Sequence, residues 1–436
     1  YVLADYLCRL AGDFVEIQDN PYFAVFQSTS SVLAPGISQK INYATTADGK
    51  TMVYYLATAD VSREDVHVYA NYNNNDPAAG WAMSRVIDQA NVAQEKYGNP
   101  ESEYYIENYN VIASINGAGY DMSNGEPSGI LVMNGVVYHP IAASGFFGIL
   151  DDGTAMIGSM EDYLALQAER PGRVQEAIAT FGDLIHNGEI VATDGGERAS
   201  RTAVGITATG KVVFMVLDGR QGDLSCGGNM MEIAQIMLEA GCVEAVNLDG
   251  GGSTTLAVTR PGDMTASTVN RPSEGGERSV TNQIFLVADS KASGRLSHFY
   301  VEPADYYVMT GASVPITVSA VDTNFIPMEK EYELTASAGW IEDGKLIAPE
   351  MGGEVTVTAQ SGSKSGSATV YVVETPDAIA VEFGGTTVNS LTLTPGASAN
   401  LGASAIYNHL KVRTGLDSFK WEFEGDCGRM NGWTFY

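Results

Sequence analysis

The sequence has 436 residues, of which 44% are hydrophobic and 18% charged, and its formal net charge at pH 7 is -29. A chain of this length predicts about two to four domains, and the composition is that of a globular protein rather than a disordered one. The acidity argues against nucleic-acid backbones and anionic membranes as partners, and no apolar run reaches the length of about 18 residues that predicts a membrane span.

The first part of the chain is expected to be irregular and then to turn into strands. We interpret residues 1–30 as an N-terminal extension with a short helical piece at 1–10. β-Branched and aromatic residues predict strands at 52–61 and 66–72. The Asn/Asp-rich stretch 73–80 is interpreted as a solvated loop in preference to a calcium site.

Apolar residues at helical spacing predict two clear α-helices. The first covers 81–97 and is ended by Gly98, Asn99 and Pro100. The second covers 229–240, where Asn229 and Glu232 have the spacing of a capping box. The segment 111–115 is predicted as a buried strand, and 159–181 as mostly short helices. Residues 201–220 are predicted as two strands joined by a turn.

The last third of the sequence differs from the rest. Residues 296–375 consist of short alternating runs and turns without a helical pattern, which is typical of an all-β sandwich. Residues 376–436 start a second unit of the same kind, which we expect to be incomplete. The two units form a weak tandem repeat.

The four cysteines do not have the spacing of a metal site. Cys226 and Cys242 flank the second predicted helix, which is about 18 Å long, whereas the α-carbons of a disulfide lie within about 7 Å. We therefore expect these two not to pair. The sequence leaves open whether Cys8 and Cys427 form disulfides.

One glycine-rich block lies between two predicted strands. Asp249 is followed by Gly250, Gly251, Gly252 and then Ser253. The block lacks the lysine and the following helix of a phosphate-binding P-loop. A tight β-turn needs only one or two glycines, so we favour a site where bare main chain approaches a ligand or binds an anion.

Further polar blocks follow predicted strands elsewhere. Asp218 ends a strand just before Arg220, where an ordinary turn is the alternative. An earlier glycine-rich loop carries Glu126, which could serve as acid, base or ligand. His139 and His186 are weaker candidates for a general acid, and His67 is expected to be structural. Arginine is scarce in this acidic chain, yet these blocks hold four, whose guanidinium groups suit phosphate oxygens: Arg201, Arg220, Arg271 and Arg278.

Taken in order, the blocks resemble those of the phosphodiester glycosidase family. They read SINGAGYDMSNGEPSGILVMNG, RTAVGI, VLDGRQ, NMMEIAQIMLEAG, AVNLDGGGST and VNRPSEGGERSVTNQIFLV. The resemblance covers about residues 30–290 and is strongest over 111–290. The family's first block usually has Asn-Gly-Gly followed by two aromatic residues, whereas Ala118 and Gly119 stand here, a departure that affects the rim of the pocket and hence sugar specificity.

The resemblance implies a domain organisation and a location. We expect an α+β phosphodiester glycosidase domain at 31–290, with a mixed β-sheet core and flanking helices. The tail resembles bacterial Ig-like domains, at 296–375 and incompletely at 376–436. Such a chain would be a secreted or cell-surface bacterial protein that acts on glycans or phosphoglycans, with the tail available for cell-wall attachment.

The family's reaction is the hydrolysis of a sugar 1-phosphodiester, such as an N-acetylglucosamine 1-phosphodiester, to free sugar and a phosphomonoester. Asp249 and Glu126 are the expected catalytic carboxylates, and Asp218 is an alternate or a residue that orients them. The expected substrate-binding residues are Asn116, Gly117, Arg201, Arg220, Asn247, Gly250, Gly251, Gly252, Ser253, Asn270, Arg271, Glu277 and Arg278.

Two alternatives stay open at this point. Asp249, Asn247 and Asp218 offer oxygen ligands that would suit Ca²⁺ or Mg²⁺, although no cofactor is required by the motifs. The chain could also be a non-catalytic glycan-binding or structural protein of the cell surface, in which the glycine-rich loops only shape a groove.

Overall fold

The computed structural model describes residues 20–72, 79–142, 144–193, 196–222, 224–384, 386–415, 418–422, 424–426 and 428–436. The chain forms two compact units, residues 1–291 and residues 292–436. The expected helical piece at 1–10, the cysteines Cys8 and Cys427, and most of the loop 73–80 lie outside the described residues.

The first unit is built mainly from strands. In chain order these are β1 Phe23–Ala34, β2 Ile37–Thr46, β3 Thr51–Ala59, β4 Val66–Tyr72, β5 Tyr109–Asn116, β6 Leu131–Met133, β7 Val136–His139, β8 Phe146–Leu150, β9 Ala155–Gly158, β10 Val174–Ala179, β11 Gly182–His186, β12 Glu189–Ile190, β13 Arg201–Thr207, β14 Val212–Leu217, β15 Cys242–Asn247, β16 Leu256–Val258, β17 Ser267–Thr268 and β18 Asn282–Asp289. The helices are α1 Val86–Gly98, α2 Met160–Glu169 and α3 Met230–Glu239. None of these described helices is long and apolar enough to cross a membrane.

The strands form three sheets. An eight-stranded sheet has the order β1-β2-β3-β14-β13-β15-β11-β12, and two five-stranded sheets have the orders β7-β6-β10-β8-β9 and β17-β16-β5-β18-β4. Each pairing between these described strands is antiparallel. The predicted mixed sheet is therefore wrong. Hairpins and longer returns connect the paired strands, and parallel pairing would have needed crossover connections between neighbouring strands.

Both faces of the eight-stranded sheet are covered over its central strands. On β3, Val53 and Tyr55 point into a core shared with β5 and β18, which belong to the third sheet. Met52 and Tyr54, the alternate residues, point into a second core that α3 covers. This two-sided burial explains why the central strands are almost continuously apolar in sequence.

The second predicted helix is confirmed. α3 begins after Asn229, whose side chain accepts from the Glu232 amide while the Glu232 carboxylate accepts from the Asn229 amide. This reciprocal cap satisfies two amides that would otherwise lack partners at the helix end. Cys226 and Cys242, on either side of the helix, are free thiols, as the length of the helix predicts.

Other element predictions need correction because strand pairing overrides the local signal. α1 starts only at Val86, since Ser84 forms a β-bridge with Val280. The region 159–181 contains one helix, α2, and then the strand β10, which pairs with β8 and β6. The expected irregular extension is wrong from Phe23 onward, where β1 begins and pairs with β2 along its length.

The second unit is all β, as the sequence predicts. Its strands are β19 Leu296–Pro303, β20 Tyr307–Met309, β21 Ser313–Asp322, β22 Pro327–Met328, β23 Glu333–Ala336, β24 Trp340–Glu342, β25 Lys345–Ile347, β26 Gly353–Ser361, β27 Lys364–Val373, β28 Ala378–Phe383, β29 Thr386–Thr387, β30 Ala399–Tyr407, β31 Leu410–Val412, β32 Met430–Asn431 and β33 Thr434–Phe435. Two sheets, β19-β21-β25-β24 with β22 on β21 and β20-β27-β26-β23, share one apolar core. The strands β28 to β33 form a further sheet.

A buried carboxylate in the first unit predicts a pH-dependent stability. Glu176 on β10 accepts hydrogen bonds from the amides of Ala70 and Asn134, both at 2.9 Å, and burial raises its pKa to about 8. Since the folded state holds this proton more tightly, the contribution of Glu176 to the unfolding free energy is fully present below its unfolded pKa. It falls by up to about 1.4 kcal/mol per pH unit as the pH rises to about 8.

Denaturant unfolding between pH 5 and pH 8 measures this effect. We expect Glu176→Gln to flatten the decline, because the substituted side chain no longer titrates. Glu161, an exposed carboxylate in the first turn of α2, is the matched control, and Glu161→Gln should retain the wild-type slope. An unchanged slope in Glu176→Gln would contradict the assignment.

Candidate active site

The glycine-rich block connects two sheets of the first unit. β15 ends at Asn247 in the eight-stranded sheet, and β16 starts at Leu256 in a five-stranded sheet. Between them lies a short 3-10 turn, Gly251–Ser253. The carboxylate of Asp249 is thus presented at the end of a buried central strand, where its position is defined by two rigid elements.

Each of the three glycines faces a different arginine. A β-carbon at Gly250 would lie 2.9 Å from the Ser200 carbonyl oxygen and 3.7 Å from Cδ of Arg201. At Gly251, which has a φ of 61°, it would lie 3.6 Å from Nη1 of Arg220. At Gly252 it would overlap Nη2 of Arg278 and the Glu274 carboxylate. Three arginine side chains thus lie around one turn, and at Gly252 the missing β-carbon is what makes room for one of them.

The arginines are held from different elements. Arg201 donates from Nε to the Gly228 carbonyl at 3.1 Å and from Nη2 to the Glu197 carbonyl at 2.8 Å. Burial and the neighbouring charge of Arg220 lower the pKa of Arg201. Arg278 donates from Nε to Glu274 at 3.0 Å. Positive charge is concentrated at this turn of an acidic protein, which favours an anionic ligand.

Asp249 is held in place by hydrogen bonds of its main chain. Its amide donates to the Gly117 carbonyl at 3.1 Å, and its carbonyl accepts from Nδ2 of Asn116 at 2.7 Å. The carboxylate Oδ1 accepts from the Gly250 amide at 2.9 Å. Burial raises the pKa of Asp249, while hydrogen bonds from the Ser253 hydroxyl and the Gly250 amide and the charge of Arg278 oppose the rise. A partly buried carboxylate of this kind is suited to exchange a proton.

Asn116 and Gly117 hold the segment that carries this carboxylate. Oδ1 of Asn116 accepts from the Thr202 hydroxyl at 2.8 Å and from the Thr255 amide at 3.1 Å. A β-carbon at Gly117 would overlap Oδ1 of Asn282. Both residues are therefore required by the packing between β5 and the block after β15.

Asp218 is buried and surrounded by donors. Its carboxylate accepts from the hydroxyl of Tyr55 at 3.1 Å, from Nδ2 of Asn270 at 3.0 Å and from the Arg271 amide at 3.0 Å. Burial raises its pKa to about 6, and these hydrogen bonds limit the rise. Asn270 also accepts from the Leu256 amide at 2.8 Å, so that Asp218 ties the 270–271 segment to the start of β16.

Oδ1 of Asn247, two residues before Asp249, is buried and has no hydrogen-bond partner among the residues that the structure describes. The residue is only 8% exposed. Buried polar groups in folded proteins are nearly always paired, so this oxygen is a candidate for a hydrogen bond to a ligand.

Glu277 and Glu126 lie in different surroundings. Glu277 accepts from the hydroxyl of Thr268 and from the Ile87 amide at 3.2 Å, in the first turn of α1. Oε1 of Glu126 lies 3.6 Å from Nε2 of His139, and its side chain is partly exposed. Glu126 belongs to the loop that starts at Asn116, and no described contact joins its carboxylate to Asp249.

The other two histidines of the first unit that the structure describes pair with carboxylates on the sheets. His67 lies 2.7 Å from Asp289, and His186 lies 3.0 Å from Glu244. Within the described ranges, no group of three or more His, Cys, Asp or Glu side chains is placed to hold a metal ion.

The structure also brings to the site three residues that the motifs do not single out, Tyr120, Phe181 and Glu274. The Tyr120 hydroxyl donates to the Ser279 carbonyl at 2.8 Å, beside Arg278. Glu274 pairs with Arg278. Phe181 packs on Gly119. The only sequence signal for Phe181 is indirect, namely the glycine that stands where the family has an aromatic residue.

Comparison with known proteins places part of the chain in a family. The phosphodiester glycosidase family model matches residues 109–287. The N-acetylglucosamine-1-phosphodiester alpha-N-acetylglucosaminidase of Bos taurus is 30% identical over 165 residues, which cover 33% of this chain and 30% of that protein. The SPbeta prophage-derived uncharacterized protein YomE of Bacillus subtilis (strain 168) is 28% identical over 187 residues, 40% of this chain and 28% of that protein. The chain thus spans less than a third of the length of these curated relatives.

One solved structure that aligns with part of this chain is the catalytic domain of the zebrafish N-acetylglucosamine-1-phosphodiester alpha-N-acetylglucosaminidase, auto-inhibited by its pro-peptide. It aligns with a TM-score of 0.44 at 19% identity, covering 62% of this chain and 84% of that chain. The family match agrees with the order of the motif blocks in the sequence, and residues 109–287 are thus the part of the chain that matches the phosphodiester glycosidase family.

Proposed function

We propose that the first unit hydrolyses a sugar 1-phosphodiester, of the N-acetylglucosamine 1-phosphodiester class, to the free sugar and a phosphomonoester. The observation that carries this proposal is the turn at Gly250, Gly251 and Gly252, where three arginines surround bare main chain directly behind a partly buried carboxylate. The groups that phosphate binding and hydrolysis of a glycosidic bond require are both present there.

The arginines are proposed to bind and stabilise the phosphate. A phosphomonoester is a good leaving group, so that its departure from the anomeric carbon needs charge stabilisation more than strong acid catalysis. Arg201, Arg220 and Arg278 supply fixed positive charge, and the glycine main chain allows the phosphate oxygens to approach closely. The sugar is then placed next to Asp249.

We assign different roles to the three carboxylates. Asp249 stabilises the positive charge that develops at the anomeric carbon, or accepts the proton of the attacking water. Glu126 is the second carboxylate, and its support is its position on the loop that holds Asp249 through Asn116 and Gly117. Asp218 is a positioning residue, because its oxygens are engaged by donors of the protein.

The other motif residues are proposed either to contact the substrate or to hold the main chain in position. Asn247 is proposed to contact the substrate through its unpartnered Oδ1, and Ser253 through the hydroxyl that also interacts with Asp249. The exposed side chain of Arg271 extends the cationic surface. Asn270 and Glu277 are proposed to hold main chain in place. A Ca²⁺ or Mg²⁺ ion is not needed for these roles.

The domain assignment and the location remain part of the proposal. The glycosidase domain is assigned to residues 31–290, and the tail to a bacterial Ig-like module at 296–375 and an incomplete second one at 376–436. The resemblance of the whole chain supports a secreted or cell-surface bacterial protein with a phosphoglycan or glycan as its natural substrate and with cell-wall attachment through the tail.

The proposal is tested by incubating the full chain with UDP-N-acetylglucosamine and with methylphospho-N-acetylglucosamine. We expect release of free N-acetylglucosamine together with UDP from the first substrate and methyl phosphate from the second, measured by chromatography. If no sugar is released from a panel of sugar 1-phosphodiesters while glycans bind measurably, the chain is a glycan-binding protein and the proposal is wrong.

The glycines provide a separate prediction. Gly252→Ala is expected to lower kcat/KM about tenfold or more, because the added methyl group displaces Arg278 from the turn. The melting temperature should change little, since the overlap is with the ends of flexible side chains. Gly276→Ala is the matched control, as a β-carbon there meets nothing within 4 Å and the residue lies on the same loop as Arg278. Equal kcat/KM values for the two variants would contradict the role of Arg278.

A further inference from the structure

Phe181 is a large aromatic side chain left exposed beside the catalytic carboxylate. Its side chain lies just before β11, and the residue is 55% exposed. Its amide donates to the Asn247 carbonyl at 2.9 Å, two residues before Asp249. The ring is therefore anchored by main chain to the same strand end that presents Asp249.

The ring packs on a glycine of the loop that frames Asp249. A β-carbon at Gly119 would overlap Cζ of Phe181, and Gly119 itself is buried. Asp249 binds the same loop through the Gly117 carbonyl. Phe181 and Asp249 thus contact main-chain positions two residues apart, and the bare Gly119 backbone lies against the Cζ edge of the ring.

The side chain of Asn247 does not share the side of this ring. Asn247 pairs with Ala203 of β13, whose side chain belongs to the core that α3 covers, and paired residues of an antiparallel ladder point to the same face. The exposed ring of Phe181 is thus the apolar surface at this end of the strand, and it suits a ligand that combines an apolar face with hydroxyl groups.

We propose that Phe181 is the sugar-recognition residue of the site and that the apolar face of the pyranose packs on its ring. This inference rests on the proposed function for the class of ligand. It divides the site into a sugar half at Phe181 and a phosphate half at the arginines around Gly250, Gly251 and Gly252.

The experiment uses two probes that separate the halves, methyl N-acetyl-α-glucosaminide and inorganic phosphate, each titrated into the full chain and followed by NMR. Phe181→Ala is expected to weaken sugar binding about fivefold or more and to leave phosphate binding within about twofold of the wild type. Phe181→Trp keeps an aromatic face and should retain sugar binding. Leu164→Ala, on α2, removes an apolar side chain of similar exposure, 52%, and should change neither affinity.

The inference is overturned if Phe181→Ala binds the sugar as tightly as the wild type, or if both probes lose affinity together. It is supported if only the sugar affinity falls, and this result does not depend on turnover. A chain that binds the sugar through Phe181 but releases none from phosphodiesters would support the inference and contradict the proposed hydrolysis, so that the two failures are distinguished.

Discussion

Asp249→Asn is expected to lower kcat/KM for a sugar 1-phosphodiester by about a thousandfold, the range that a positioned carboxylate contributes to proton transfer and charge stabilisation. The substitution keeps an oxygen that can accept from the Gly250 amide, and the main-chain bonds to Asn116 and Gly117 are unaffected. The melting temperature should therefore stay close to that of the wild type.

The pH profile gives the same residue a second test. Because burial raises the pKa of Asp249, the ionised form is reached at a higher pH than for an exposed aspartate, and kcat/KM should rise with pH through that raised pKa. Asp263→Asn, at an exposed turn of the same unit, is the control and should retain wild-type activity and profile. Wild-type turnover in Asp249→Asn would remove Asp249 from the reaction.

Asp218→Ala is expected to have its main effect on stability, lowering the unfolding free energy by about 3 kcal/mol. The alanine leaves the Tyr55 hydroxyl, Nδ2 of Asn270 and the Arg271 amide without their acceptor in a buried site. Denaturant unfolding, followed by the near-ultraviolet signal of the tyrosines, measures the change.

Asp263→Ala serves as the matched control for the loss of a carboxylate at the surface, and its unfolding free energy should stay within about 0.5 kcal/mol of the wild type. Asp218→Asn should be intermediate, because one carbonyl oxygen remains to accept from Asn270 or Arg271. If Asp218→Ala unfolds like the control but loses all turnover, Asp218 acts in the reaction and the positioning role is wrong.

The elements that the sequence predicts well depend on neighbours close along the chain. α3 is defined by apolar residues on one face and by the reciprocal cap of Asn229 and Glu232, which are three residues apart. The hairpin of β13 and β14 is likewise visible as two apolar runs joined by a turn at Gly210. Such signals act before any long-range contact forms.

The elements that the sequence does not predict depend on distant partners. β10 is a strand because β8 and β6 offer their edges to it, although its residues had suggested a helical region. The start of α1 is delayed because Ser84 pairs with Val280, almost 200 residues later. The antiparallel order of the sheets is set by the same long-range pairing, which leaves little trace in any short window.

For the site, the sequence by itself determines which chemical groups are available. An aspartate followed by three glycines, together with the four arginines in the motif blocks of an acidic chain, indicates an anionic ligand and carboxylate chemistry from residue type alone. The order of these blocks also determines the family of residues 109–287. Both are properties of residue type and spacing along the chain.

Only the tertiary structure decides what each group faces. It sets Arg201, Arg220 and Arg278 against Gly250, Gly251 and Gly252, since strands far apart in sequence end at the same turn. It encloses Asp218 among donors from β3 and the segment after β17, and it packs Phe181 on Gly119. The physical reason is that burial, hydrogen-bond partners and pKa depend on atoms brought together by sheet pairing, whereas the sequence specifies only which atoms there are to bring together.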